Sequence, residues 1–464
     1  MEEKKARRIA RNWKVLVLAA FVGMPGFPRA AISADKLHAE EVEGERLPAA
    51  APNMGAWPSS DVLYGEEVQI TLVGLPPSTE VEIEVERSMN PGWPPGAGIQ
   101  LYQSSARFAT DASGDLNLAS TAPLSGSYSG VDPMGLFWSM SATSEVGRID
   151  RYSEVRLTAS IGGKTVASTK VNLHGWSPEV RTENVAAFPG ALFASLPGSE
   201  ARPVLILLHG SDGGTGMGRV MAPMFASRGY AVLSLPYYSP PDQNGRREIE
   251  ALPGAFADIP IDRLEHARAW LAKKTGVDAS RIGLWGYSKG GEFALLGAAH
   301  FPWIRSVVAS VPSDVVWEGW GPGVFKGTRS GFSYRGRPLP FVPYDYSQPS
   351  LTFRAFMDDG RAKHPERAAA ARIKVERFKG DVLVAGSVQD TIWASAQMAQ
   401  NVAERRAEAG LPTTLLLFAD AGHGLTGDPF YPKGTGAAAE AESKAQRRMW
   451  KETFAFFERT LMIR

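Results

Sequence analysis

Residues 281–292 read RIGLWGYSKGGE. Arg281–Trp285 is an apolar run suited to a buried strand, and a helical pattern begins near Gly291. Between them, Gly286-Tyr287-Ser288-Lys289-Gly290 is G-x-S-x-G in a strand–turn–helix context. In so sharp a turn a side chain at Gly286 or Gly290 would collide with the neighbouring strand and helix. The serine is then held strained, its hydroxyl exposed, with the positive end of a helix beneath it. Five-residue patterns of this kind also occur by chance in ordinary turns. The flanking strand and helix are what single out Ser288 as a nucleophile.

Similar apolar runs recur on both sides: Val204–Leu208 (VLILL), Ala231–Leu235 (AVLSL), Ser306–Val311 (SVVASV), Val382–Ala385 (VLVA) and Thr414–Phe418 (TLLLF). They are continuous rather than alternating, as expected for parallel strands buried on both faces. Helical stretches lie between them at Met221–Ser227, Ile261–Lys274, Gly291–Ala299, Ala394–Ala409 and Ser443–Leu461. Such alternation gives a mostly parallel sheet with flanking helices. Together with the serine turn, it predicts an α/β hydrolase over residues 203–464.

Upstream the pattern changes. Val68–Val73, Val81–Val85, Ala106–Ala109, Leu116–Leu118, Val155–Ile161 and Thr165–Val171 read as short strands separated by turn clusters such as Asp111–Gly114. Strands without helical period predict an all-β, immunoglobulin-like sandwich over residues 61–175, joined by a Pro- and Gly-rich linker at 176–202. A chain of 464 residues is too long for one ordinary core, in keeping with two domains.

Residues 1–34 run from a positive start (Lys4, Lys5, Arg7, Arg8, Arg11) through Val15–Val22 (VLVLAAFV) to the small residues Ala30–Ala34 (AAISA). That order resembles a secretory signal peptide and predicts export to the periplasm or medium, with residues 35–60 a disordered lead-in. A frayed basic helix on a cytoplasmic protein is the alternative. The apolar run is too short to span a bilayer well, so the mature protein is expected to carry no stable span.

Composition excludes several classes. Fifty basic and 49 acidic residues leave a formal charge of +1, so nothing in bulk favours nucleic acid. There is no cysteine, hence no disulfide, thiolate metal site or cysteine nucleophile. Neither G-x-G-x-x-G after a strand nor a Walker lysine is present, and neither a cofactor nor a metal is expected.

A serine hydroxyl needs a base. Of seven histidines, His38 lies in the lead-in, His174 ends the β-domain, His266 and His300 sit on helices, and His364 lies in a charged stretch. His209 ends the first buried strand and belongs to another role. His423 remains, in the loop Asp420–Gly424 directly after the last strand, where this fold presents its base. The orienting acid must lie between the two, on a loop after a strand. Asp390, in Gly386–Trp393 (GSVQDTIW), fits better than Asp381, Asp420 or Asp358-Asp359. A tetrahedral intermediate needs at least two amide donors. The N–H of Lys289 and that of Ser211, in the loop His209–Gly214 (HGSDGG), are the candidates.

Trp285, Trp303, Trp317, Trp320 and Trp393 would line an acyl pocket or simply pack at sheet ends. Lys326, Arg329, Arg335 and Arg337 lie in an insertion between Val311 and Arg361 that is expected to cover the site. They would grip a phosphorylated leaving group or form a solvated loop.

With these residues placed, the chain resembles the family of acyl-CoA thioesterases and bile acid-CoA:amino acid N-acyltransferases. The likeness rests on VGLPP (73–77), SARFAT (105–110) and above all APLSGSYSGVDPMGLFWSM (122–140), then on GLWGYSKGGE (283–292), GSVQDTIW (386–393) and ADAGHG (419–424). The resemblance implies a triad of Ser288, Asp390 and His423. Acyltransferase members carry cysteine at the nucleophile and thioesterase members serine, so it also implies hydrolysis of an acyl thioester. The substrate expected is a small-molecule acyl thioester or ester. An exported esterase or peptidase, an N-acyltransferase, and a binding protein with an inactive hydrolase domain are the alternatives.

Overall fold

The structure is a computed structural model and describes residues 51–90, 98–146, 154–347, 352–429 and 431–462. The signal-peptide-like segment 1–34, and the lead-in up to residue 50, lie outside the described residues.

In the β-domain the strand Glu80–Met89 buries Val81, Ile83 and Val85 and exposes Glu80, Glu82 and Glu84. This is the period of two that puts one face of a sheet on a core. It lies antiparallel between Ile99–Ala109 and Glu154–Ile161. A second, three-stranded sheet comprises Asn53–Trp57, Gln69–Val73 and Leu116–Asn117. It adds Met54, Ile70, Leu72 and Leu116 to the same apolar cluster as Val81, Val85, Phe108 and Leu157. Two sheets thus close over one core.

Asn53–Trp57 corrects the expectation of a disordered lead-in reaching residue 60. Its sequence, NMGAW, shows no alternation. It is a strand because the edge of Gln69–Val73 offers it hydrogen bonds and because Met54 is buried in the core. The linker at 176–202 is corrected in the same way. Residues Arg181–Asn184 (β1) and Leu192–Ser195 (β2) form an antiparallel hairpin at the edge of the catalytic sheet. Pro189 and Gly190, part of the Pro- and Gly-rich composition of this segment, lie in the connection between these two strands.

The catalytic sheet continues with β3 (Arg202–Leu208), β4 (Ala231–Ser234), β5 (Val277–Tyr287), β6 (Ile304–Ser310), β7 (Asp381–Ser387) and β8 (Thr413–Phe418). Its order is β1-β2-β4-β3-β5-β6-β7-β8, parallel from β4 onward. The helices are α1 (Gly216–Ala226), α2 (Arg263–Leu271), α3 (Lys289–His300), α4 (Phe353–Lys363), α5 (Pro365–Ala370), α6 (Ser395–Glu408) and α7 (Ala437–Phe457). Leu264 of α2, Phe293 of α3 and Val402 of α6 share the core on one face. Phe225 of α1 and Trp450 and Phe457 of α7 share the core on the other. The expected α/β-hydrolase sheet is therefore present, with an antiparallel hairpin added at one edge.

Strand order reverses at β3, whose neighbours are β4 and β5. Loops leaving the carboxyl ends of strands on either side of such a reversal diverge and open a crevice, the usual ligand position in a parallel sheet. The loops after β3, β5, β7 and β8 carry Ser211, Ser288, Asp390 and His423.

Candidate active site

The turn after β5 is as tight as its glycines require. A Cβ on Gly286 would sit 2.1 Å from the carbonyl oxygen of Gly290, and one on Gly290 only 2.0 Å from that of Leu208. Ser288 adopts φ 54°, ψ −118°, a conformation that L side chains rarely take. Such strain costs about 1–3 kcal/mol and persists only where the surroundings over-determine it. Here the Ser288 N–H donates to the Ser310 carbonyl at 2.9 Å, while the Ser288 carbonyl accepts from Glu292 N–H at 3.1 Å.

Three of the expected residues meet. Ser288 Oγ lies 3.0 Å from His423 Nε2, and His423 Nδ1 lies 2.8 Å from Asp390 Oδ2. The other carboxylate oxygen, Asp390 Oδ1, accepts from the N–H groups of Ile392 at 2.9 Å and Trp393 at 3.3 Å. Burial pushes the Asp390 carboxyl up, but the hydrogen bond and charge of His423, with the Ile392 N–H, hold it below the usual range. The His423 ring sits between Tyr287 and Trp393, and the Ser387 hydroxyl at the end of β7 donates to the Ala421 carbonyl just before it. With its Nδ1–H directed at a carboxylate, the imidazole presents Nε2 as an acceptor to the serine hydroxyl.

The donors expected to face a carbonyl oxygen stand on the same cavity. Ser211, Ser288 and Lys289 all line a space of about 400 Å³. Lys289 begins α3, where backbone N–H groups have no acceptor within the helix. The loop bearing Ser211 is held by His209, which is buried and stacked on Tyr237 with ring centroids 4.0 Å apart. His209 Nδ1–H donates to the Gly210 carbonyl at 2.7 Å and Nε2 accepts from Tyr237 N–H at 3.2 Å. Burial holds the imidazole below its ordinary pKa, so it stays neutral and fixes the loop. That is the other role left open for it by its place in the sequence.

Three walls enclose the cavity. Phe353, Phe356 and Met357 of α4 form one, Trp320, Tyr344 and Tyr346 of the β6–β7 insertion a second, and Ile392 with Trp393 a third. Of the five tryptophans weighed in the sequence, only Trp320 and Trp393 face this space. Trp285 and Trp317 are buried in cores, and Trp303 packs against one. The insertion therefore does cover the site. The four basic residues weighed in it are not among those that line the cavity: Arg329 pairs with Asp258 at 2.7 Å, Arg335 lies over the Tyr334 ring, Lys326 lies over the ring of Tyr346, and Arg337 is exposed.

Glu292 is a functional neighbour that reasoning from the sequence did not single out. Its carboxylate is buried and takes the Lys289 ammonium at 2.7 Å, while the ammonium lies within 6 Å of the Phe256, Trp320, Phe332 and Trp393 rings. Spacing of three on a helix after the nucleophile was the only available signal. Among the described residues, no cluster of histidine and carboxylate side chains has the geometry to hold a metal ion.

Comparison with known proteins agrees with this architecture across both domains. Residues 65–187 match the family described as acyl-CoA thioester hydrolase/BAAT N-terminal region, and residues 259–463 match BAAT/acyl-CoA thioester hydrolase C terminal. Residues 191–315 also match the dienelactone hydrolase family. The peroxisomal succinyl-coenzyme A thioesterase of Mus musculus is 25% identical over 89% of this chain and 97% of its own. The mitochondrial acyl-coenzyme A thioesterase 2 of the same species is 26% identical over 87% and 88%. A putative dienelactone hydrolase from Klebsiella pneumoniae, of known crystal structure, has a TM-score of 0.39 and 16% identity over 60% of this chain and 98% of its own. Matches to the two halves of one family, in order and spanning the β-domain and the serine-bearing sheet alike, make this chain a member of the acyl-CoA thioester hydrolase/BAAT family.

Proposed function

We propose that this protein hydrolyses acyl-CoA-type thioesters through a covalent acyl-enzyme on Ser288. The observation that carries the reading is the hydrogen-bonded line Ser288–His423–Asp390 at the wall of an apolar cavity. Support comes from relatives named as coenzyme A thioesterases that align over most of the chain.

In this reading Ser288 Oγ attacks the thioester carbonyl while His423 Nε2 takes its proton. Asp390 keeps the proton of Nδ1 in place and stabilises the imidazolium without taking it. The carbonyl oxygen, now negative, accepts from the Lys289 and Ser211 N–H groups. When the tetrahedral species collapses, the C–S bond breaks and His423 returns the proton to the departing thiolate. Water, deprotonated by the same imidazole, then attacks the acyl-enzyme and releases the carboxylic acid and free serine. Export through the segment 1–34 remains part of the proposal, supported by its charged, apolar, small-residue order. Cell fractionation decides that point.

The test is thiol release from a series of acyl-CoAs, run beside the matching oxygen esters. Wild-type protein should favour thioesters in kcat/KM, and Ser288→Ala should abolish release. Folded protein that leaves every acyl-CoA intact while cleaving oxygen esters would refute the substrate assignment.

A further inference from the structure

The loop that carries His423, residues 419–436, runs from β8 to α7 and is held from two directions. On the α7 side, Gln446 Nε2 donates to the Gly424 carbonyl at 2.8 Å and Trp450 Nε1 donates to that of Gly427 at 3.1 Å. On the β-domain side, Lys433 N–H donates to the Trp138 carbonyl at 2.8 Å and Gly434 N–H to that of Met140 at 3.1 Å. Both sets of contacts converge on one buried ion pair. Arg447, between Gln446 and Trp450 on α7, reaches Asp132 Oδ2 at 2.7 Å and Glu67 Oε1 at 2.9 Å. The same Asp132 oxygen accepts from the indole N–H of Trp138 at 3.1 Å, and Oδ1 accepts from Met134 N–H at 2.9 Å. Asp132 and Arg447 are only 3% and 8% exposed, so the charges are shielded from solvent. Tyr64 packs edge-on against Trp450 beside them, with centroids 5.3 Å apart.

We propose that Asp132 and Arg447 are positioning residues for His423, and that through them the β-domain sets the alignment of the base with Ser288. The inference rests on the reading of His423 as the base. Asp132 fixes the angle of Trp138, whose carbonyl anchors the far end of the loop. Arg447 fixes the turn of α7 whose neighbouring side chains anchor the near end. Loss of the pair leaves the triad residues in place chemically but frees the imidazole to drift along its loop. A proton transfer over 3.0 Å is sensitive to such drift. Residues 122–140 thus have a role in the reaction although none of them lines the cavity.

The experiment uses the full chain and two readouts: steady-state thioester hydrolysis, and the rate at which a fluorophosphonate labels Ser288. The second reports the serine–histidine geometry whatever the acyl substrate is. Asp132→Asn should lower kcat and the labelling rate together by about tenfold to a hundredfold, with KM changed by less than about twofold. Arg447→Lys, which keeps the charge, should recover part of the loss seen in Arg447→Ala. Gln446→Ala, which cuts the link between α7 and the loop, should lower the same two rates. Combined with Asp132→Asn it should cost less than the product of the two single losses, because both act through one route. If Asp132→Asn does not fold, Arg447→Lys and Gln446→Ala carry the comparison. A lower Tm with kcat and labelling rate unchanged would overturn the proposal, as would fully multiplicative losses. Wild-type protein that labels at Ser288 but cleaves no thioester would refute the substrate assignment alone, and the labelling rates would still decide this one.

Discussion

Lys289 and Glu292 form an ion pair of 2.7 Å one helical turn below the nucleophile, with both side chains buried. Burial pushes the lysine down and the glutamate up from their ordinary pKa values, and each opposes the shift of the other. Breaking such a pair leaves an uncompensated charge, whereas replacing both partners with apolar residues removes the desolvation cost as well. Glu292→Gln should therefore destabilise the fold by about 3–5 kcal/mol in urea titration, and Lys289→Met combined with Glu292→Leu by much less. Equal losses in the single and double variants would mean that the aromatic rings around the ammonium, not the carboxylate, compensate its charge.

The three residues in hydrogen-bonded line should behave as one unit. Ser288→Ala and His423→Ala should each lower kcat by on the order of a millionfold, and the double variant by no more. Asp390→Asn should cost about ten-thousandfold, since the imidazole would adopt the wrong tautomer. Single-turnover measurement of thiol release checks both. Independent, multiplying losses would be inconsistent with a shared mechanism.

Much of this site was legible because its chemistry needs particular residues at particular places. Gly286 and Gly290 leave no room for a Cβ, so the turn announces itself, and with only seven histidines elimination reaches His423. The parallel strands were legible as unbroken apolar runs. What escaped were features made by tertiary pairing. Asn53–Trp57 is a strand only because an open edge lies beside it, and β1, exposed at all four residues, has no apolar face to betray it. Glu292 looks like any exposed helical carboxylate until Trp317 and the insertion cover it. The role of Asp132 depends on Arg447, 315 residues away.

The acid residue also predicts a pH dependence of stability. The Asp390 carboxyl is held below the ordinary aspartate value of 3.8 in the fold, so the folded state binds its proton less readily than the unfolded chain. Its contribution is therefore fully present above that value and is lost as pH falls through the lower, folded value. Asp390→Asn should flatten the acid limb of the stability curve below about pH 4 and leave the shape above it unchanged. Urea midpoints collected from pH 3 upward make the comparison, at roughly unit intervals. An acid limb identical in the two proteins would show that other carboxylates carry it.

Acyl-chain selection should be set by α4. Phe353, Phe356 and Met357 present one wall of the cavity, and Met357 is the buried member of the three. Each methylene taken out of water contributes about 0.8 kcal/mol, or roughly fourfold in kcat/KM, for as long as the cavity accommodates it. The profile of kcat/KM against chain length should therefore climb and then break where the chain meets the wall. Met357→Trp moves that wall inward and should shift the break to shorter chains, leaving rates for the shortest acyl groups unchanged. Met357→Ala should shift it the other way. The α4 helix is anchored from outside the cavity, by Arg361 paired bidentately with the buried Asp314 and by Arg354 donating to the Asp390 carbonyl. Substitution at Met357 should thus change the space without moving the helix. If both variants alter all chain lengths in parallel, α4 governs access to the serine rather than the length of the acyl group it admits.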